Sequence, residues 1–91
     1  IKDTHILYTD VWSSMGEEDN KLLKDKSFHG YTICKNLLDK ARGDAIVMHC
    51  LPAYRGKEIT DEIMECSQSR IFNQAENRMH AQQALLAYLL N

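Results

Sequence analysis

The sequence predicts an α/β fold: a parallel sheet with flanking helices that closes in a long amphipathic C-terminal helix. Two observations carry this. Short apolar, β-favouring runs alternate with segments of helical periodicity along the chain, and such alternation builds parallel strands joined by right-handed crossovers. One of the runs, residues 45–50 (AIVMHC), is apolar throughout, as expected of a strand covered on both faces.

The elements follow in order. Residues 5–9 (HILYT) form a first strand. Residues 17–26 (EEDNKLLKDK) suit a solvated helix, with acids at its start and lysines at its end, where the helix dipole favours them. Residues 31–33 (YTI) suit a short strand, and residues 34–42 (CKNLLDKAR) a helix, with Gly43 placed to end it in a left-handed conformation. After the strand at 45–50, residues 59–67 form a short helix that starts near Thr60 or Asp61. Residues 70–73 (RIFN) read as a last brief strand. The final helix carries Ala81, Ala84, Leu85, Tyr88 and Leu89 on one stripe.

Composition narrows the function classes. With 91 residues the chain makes at most one small domain, and its net charge of −2 gives no general pull toward nucleic acid or an anionic membrane. No apolar stretch reaches the roughly 18 residues of a membrane span, and the opening residues lack a signal-peptide pattern. Three cysteines without CxxC spacing point away from a disulfide framework and toward a reducing, cytoplasmic setting. There is no GxGxxG, no GxxxxGK[ST] and no basic stripe interleaved with aromatics. A chain that opens on Ile1 directly before a strand, and closes at the end of a helix, reads as a piece of a longer polypeptide.

Ligands of open parallel sheets bind beyond the carboxyl ends of the strands. Three polar clusters fall there: residues 10–16 (DVWSSMG), 49–56 (HCLPAYRG) and 73–78 (NQAENR). Ser14 with Glu17 forms a capping box, and the same helix start offers free N–H groups to a carboxylate. Asp10 suits an ammonium group, or a turn that bonds its own backbone. His49 and Cys50 face opposite ways on a regular strand, so they make a poor chelating pair, and no metal site is expected. Cys50 by itself reads as a packing thiol, because no base is fixed beside it. Pro52 directs Leu51 toward an extended backbone and stops strand pairing, leaving the carbonyls near Cys50 and Leu51 for a ligand. Arg78, in the first turn of a helix, is opposed by the helix dipole; it suits an anionic ligand, or a surface pairing with Glu76.

Together, DVWSSMG, HCLPAYRGKEITDEI and FNQAENRMHAQQALLAYLL, in this order and spacing, resemble the C-terminal part of the ornithine carbamoyltransferases over nearly the whole chain. SMG with HCLP separates them from aspartate carbamoyltransferases. The resemblance implies a Rossmann-like sheet and identifies residues 1–91 as a fragment of the ornithine-binding domain, without the carbamoyl phosphate domain. It implies that Asp10, Ser14 and Met15 bind the amino-acid end of ornithine. It places Cys50 and the Leu51 carbonyl near the reacting amine, with Asp10 and Cys50 positioning or deprotonating it. Arg78 corresponds to an arginine that binds carbamoyl phosphate and polarises its carbonyl. His49 and Pro52 shape the loop. The implied reaction gives citrulline and phosphate without metal or organic cofactor, in a cytoplasmic homo-oligomer, a trimer or a multiple of one. Neither nucleic acid nor membrane is an expected partner. The family's S-T-R-T phosphate motif is absent, so the isolated chain is expected to be inactive and marginally stable or self-associating. Alternatives are a carbamoyltransferase for putrescine or an acylated ornithine, and a non-catalytic α/β binding module.

Overall fold

The computed structural model describes residues 1–12 and 27–91. Strand β1 (Ile6–Thr9) pairs in parallel with β2 (Ile46–His49), in the register Ile6↔Ile46 through Thr9↔His49. Between them lies helix α1 (Lys35–Asp39); after β2 come α2 (Asp61–Met64) and the twenty-residue α3 (Ile71–Leu90). The α/β class and the parallel pairing are as the sequence predicts.

Burial along β2 alternates. Ala45, Val47 and His49 are inaccessible, whereas Ile46, Met48 and Cys50 are half-buried. The expected strand covered equally on both faces is therefore a strand with one fully buried face. That face meets Ile33, Leu38, Ile59, Ile63, Met64 and Ile71, which form the core with Ala45 and Val47. Full burial of such side chains stabilises the fold by about 1.5–3 kcal/mol each.

Several boundaries differ from the sequence reading. The predicted strand at 31–33 is reduced to one bridge, Ile33↔Ile59, closed by Ile33 N–H to Glu58 O and Thr60 N–H to Ile33 O. Helix α1 is shorter than 34–42: it ends at Lys40, which has ordinary helical φ, and Gly43 does not take the left-handed conformation expected of it. Helix α2 is likewise shorter than 59–67, and Thr60 occupies its N-cap position.

The predicted strand at 70–73 is overturned. Strand-like pairing is confined to one bridge, Val47↔Ser69, with Val47 N–H donating to Gln68 O and Arg70 N–H to Val47 O. From Ile71 the chain is helical. The apolar pair Ile71-Phe72 gave the strand-like appearance, but only Ile71 is buried, and one buried side chain is met as well by the first turn of a helix. Tertiary packing here overrides a local β preference.

The stripe on α3 faces outward: Leu85, Tyr88 and Leu89 are 57, 80 and 64 % exposed. Among the described residues no helix is long and apolar enough to cross a membrane.

Candidate functional site at the carboxyl edge of the sheet

The parallel register brings two distant residues together. Thr9 and His49 are partners, so Asp10 and Cys50 leave the same sheet edge side by side. The Cys50 thiol donates a hydrogen bond to Asp10 Oδ1 at 3.1 Å, and the Val11 backbone N–H donates to the same oxygen at 2.7 Å. Of the two readings of Asp10, the turn that bonds its own backbone is present, and the same oxygen also accepts the Cys50 thiol.

Electrostatics keep this pair as neutral thiol and carboxylate. Burial, followed by the hydrogen bond to Asp10 and the charge of Asp10, pushes the Cys50 thiol above its ordinary value. The thiol hydrogen bond and then the Val11 N–H hold Asp10 below the usual carboxylate range. A sulfur of this kind is a weak nucleophile and a hydrogen-bond donor.

The turn after β2 is built on a buried imidazole. Leu51 N–H donates to His49 Nδ1 at 2.8 Å. Since a backbone amide can only donate, Nδ1 is the unprotonated nitrogen and Nε2 carries the hydrogen, which it donates to Glu58 Oε1 at 2.8 Å. Tyr54 N–H donates to the same Glu58 oxygen at 2.8 Å. His49 and Glu58 are both inaccessible, so this chain of bonds fixes the turn from inside.

The consequence for Leu51 corrects the sequence reading. Its φ is +60°, left-handed rather than extended, and the Leu51–Pro52 peptide is cis. The preference imposed by a following proline gives way because the imidazole captures the Leu51 N–H. The carbonyls of Cys50 and Leu51 accept no hydrogen bond within the protein among the described residues.

Arg78 lies on α3, exposed, and its charge acts at Cys50 in the direction that lowers the thiol pKa. Among the described residues no hydrogen bond or ion pair holds its guanidinium; Glu76, the candidate surface partner, pairs instead with His80 at 3.2 Å. Asp10, Cys50 and Leu51 therefore gather at one edge, where the Arg78 charge also acts. Ser14 and Met15 lie outside the described residues. A cavity of about 500 Å³, lined among others by Thr9, Tyr31, Ile33, Asn36 and Lys40, contains none of Asp10, Cys50 and Arg78. Among the described residues no three His, Cys, Asp or Glu side chains converge as a metal site.

Two supporting residues escaped the sequence reading. Glu58 sits in a charged stretch and was given no role there. Gln74 looked like part of a helix start; its Oε1 accepts His49 N–H at 3.0 Å and its Nε2 donates to the Tyr8 hydroxyl at 2.9 Å. No periodicity marks either residue.

A parallel α/β arrangement with an acid, a thiol and freed carbonyls at its carboxyl edge is of the class in which ligands bind beyond the strand ends. Residues 1–89 match the family described as aspartate/ornithine carbamoyltransferase, Asp/Orn binding domain, and the chain belongs to that family. It is 65 % identical over 90 residues to the ornithine carbamoyltransferase of Prochlorococcus marinus subsp. pastoris, covering 99 % of this chain and 29 % of that protein. To the enzyme of the same name from Prochlorococcus marinus strain MIT 9312 it is 66 % identical over 91 residues, covering 100 % of this chain and 30 % of that protein. The crystal structure of the anabolic ornithine carbamoyltransferase from Campylobacter jejuni superimposes with a TM-score of 0.87 at 46 % identity, covering 97 % of this chain and 29 % of that one. The chain thus spans less than a third of the length of these relatives.

Proposed function

We propose that this chain is the ornithine-binding, C-terminal portion of an ornithine carbamoyltransferase. The whole enzyme moves a carbamoyl group from carbamoyl phosphate to the δ-amine of L-ornithine, giving citrulline and phosphate in arginine metabolism. The observation that carries the reading is the Cys50–Asp10 hydrogen bond at 3.1 Å, beside carbonyls with no hydrogen-bond partner among the described residues and under the influence of the Arg78 charge.

Each group then has one task. The Asp10 carboxylate receives the δ-ammonium and favours its desolvated approach, and the Leu51 carbonyl accepts an N–H and orients the lone pair. The ammonium gives up one proton to solvent before attack, since only the neutral amine is a nucleophile, and the second proton leaves with the departing phosphate. Its lone pair forms the new C–N bond at the carbamoyl carbon, and the C–O bond to phosphate breaks with its electron pair leaving on phosphate. Arg78 faces the carbamoyl oxygen, where negative charge grows in the transition state. Cys50, held neutral, donates to Asp10 and aims it. Ser14 and Met15 bind the α-amino and carboxylate end.

The leaving group is already activated, so the chemistry calls for neither metal nor organic cofactor. The carbamoyl phosphate domain, and a trimeric or higher assembly working in the cytoplasm, belong to the longer polypeptide of which residues 1–91 are a part.

Full-length protein supplied with carbamoyl phosphate tests the reading. Citrulline is the expected product, with ornithine preferred over putrescine and N-acetylornithine. Faster turnover of either competitor, or no product with ornithine, overturns it. Calorimetric binding of ornithine by the isolated chain, without carbamoyl phosphate, would instead support a free-standing binding module.

A further inference from the structure

Helix α3 is attached to the sheet by remarkably little. Of its residues only Ile71 is buried and only Gln74 is half-buried; all the others are exposed. An apolar anchor such as Ile71 fixes where the helix sits but leaves rotation about its axis open. Rotation is set by directional bonds, and Gln74 makes two of them. Its Oε1 accepts the His49 N–H at 3.0 Å and its Nε2 donates to the Tyr8 hydroxyl at 2.9 Å.

The place of these bonds is informative. The edge of β2 away from β1 is completed by the segment 68–74 rather than by a full strand. Gln68 Nε2 donates to Ala45 O at 2.7 Å, Val47 N–H donates to Gln68 O at 2.9 Å, and Arg70 N–H donates to Val47 O at 2.9 Å. His49 N–H is the next donor on that edge, and the Gln74 amide takes the position a strand carbonyl would fill. Tyr8 is the register partner of Met48 on the adjoining strand, so one side chain spans both strands at their carboxyl ends. Arg78 follows Gln74 by four residues, which puts both on one face of the helix. Cys50 follows His49 directly.

We propose that Gln74 is a positioning residue for carbamoyl transfer: by bonding β2 and β1 at once it sets the rotation of α3, and so the placement of Arg78 against Cys50 and Asp10. This rests on the reading of the site given above. It separates two properties of the NQAENR segment: Arg78 meets the substrate, and Gln74 acts only through Arg78.

The experiment is a two-residue cycle in the full-length protein, with Gln74→Met, Arg78→Ala and the double variant. Methionine keeps the length of the side chain and removes both bonds. Gln74→Met lowers kcat about tenfold to a hundredfold, as a catalytic group displaced by about 1 Å does, with KM for ornithine little changed. Added to Arg78→Ala it costs less than about twofold more, because the residue it acts through is already gone. Full, independent multiplication of the two losses overturns the proposal, as does a kcat unchanged by Gln74→Met. Alkylation of Cys50, read peptide by peptide, gives an arm independent of turnover. Arg78→Ala slows it by about twofold through loss of one nearby positive charge, Gln74→Met slows it by less because it only displaces that charge, and the double variant slows it no further than Arg78→Ala alone. If the unaltered protein makes no citrulline the functional reading fails, while non-additive alkylation changes still support Gln74 as the residue that places Arg78; additive ones overturn that placement.

Discussion

The Cys50 thiol and the Asp10 carboxylate, forty positions apart in the chain, are joined by a 3.1 Å hydrogen bond in which sulfur donates. The bond stabilises each partner in the protonation state it needs, thiol for one and carboxylate for the other. In the full-length protein the alkylation of Cys50 is expected to titrate with a midpoint above the ordinary thiol value of 9.0. Asp10→Asn removes the charge while keeping the shape and moves the midpoint down. The linked stability has a definite sign. The raised Cys50 value contributes fully below pH 9.0, and that contribution is lost as pH rises through the folded value. The lowered Asp10 value contributes above 3.8 and is lost as pH falls through its folded value. Denaturation midpoints measured across pH in the unaltered protein and in Asp10→Asn check both limbs.

Glu58 holds two donors on one oxygen, while its Oε2 is buried without a partner among the described residues. Glu58→Gln keeps the acceptor but buries an amide N–H where nothing accepts it, and costs about 1–3 kcal/mol. Glu58→Ala strands the His49 and Tyr54 N–H groups together and costs more. Chemical denaturation of the full-length variants ranks them: unaltered, then Gln, then Ala. An alanine variant as stable as the unaltered protein would show the buried network to be dispensable.

Leu51 occupies the left-handed region at φ +60°. An L-residue there carries about 1–2 kcal/mol of strain that glycine does not. Leu51→Gly is therefore expected to be more stable than Leu51→Ala, the reverse of their order in an ordinary helix or strand. Both lose the packing of the half-buried leucine, so their difference reports the backbone alone. Differential scanning calorimetry of the pair decides it.

In the proposed site Arg78 supplies the cation, and no hydrogen bond or ion pair holds it among the described residues. Arg78→Ala is expected to lower kcat by about a hundredfold to a thousandfold, the usual loss of one donor to a developing oxyanion. Because the side chain is exposed, the denaturation midpoint stays within the scatter of surface substitutions. Steady-state kinetics and a thermal melt on one preparation separate the two effects.

Much of the site was legible in the primary structure because strand ends announce themselves. An apolar run halted by a polar cluster marks a carboxyl edge and made Asp10, Cys50 and Leu51 candidates, although Cys50 by itself read as a packing thiol and took a role only from the family resemblance. Arg78 was singled out on a premise the structure corrects: α3 starts at Ile71, so Arg78 lies two turns inside the helix rather than in its first turn, where the dipole would oppose it. The strand proposed at 70–73 failed because burial of one isoleucine satisfies a strand and a helix equally, and no local pattern separates them. Leu51 was misplaced because the rule for residues before proline considers neighbours in sequence, whereas the deciding partner is a buried histidine ring.

The alternation of elements and the parallel α/β class were thus determined by sequence alone, through periodicity, and the polar clusters at element ends marked where a ligand site would be. The tertiary structure decided the rest. It assigned the hydrogen of His49 to Nε2, drew Glu58 into the core, turned Leu51 left-handed and gave Gln74 its two strands. Each of those depends on a hydrogen bond between residues whose separation in the chain, or whose burial, no local pattern encodes. A donor finds its acceptor only after the apolar core has brought the two segments within 3 Å of one another.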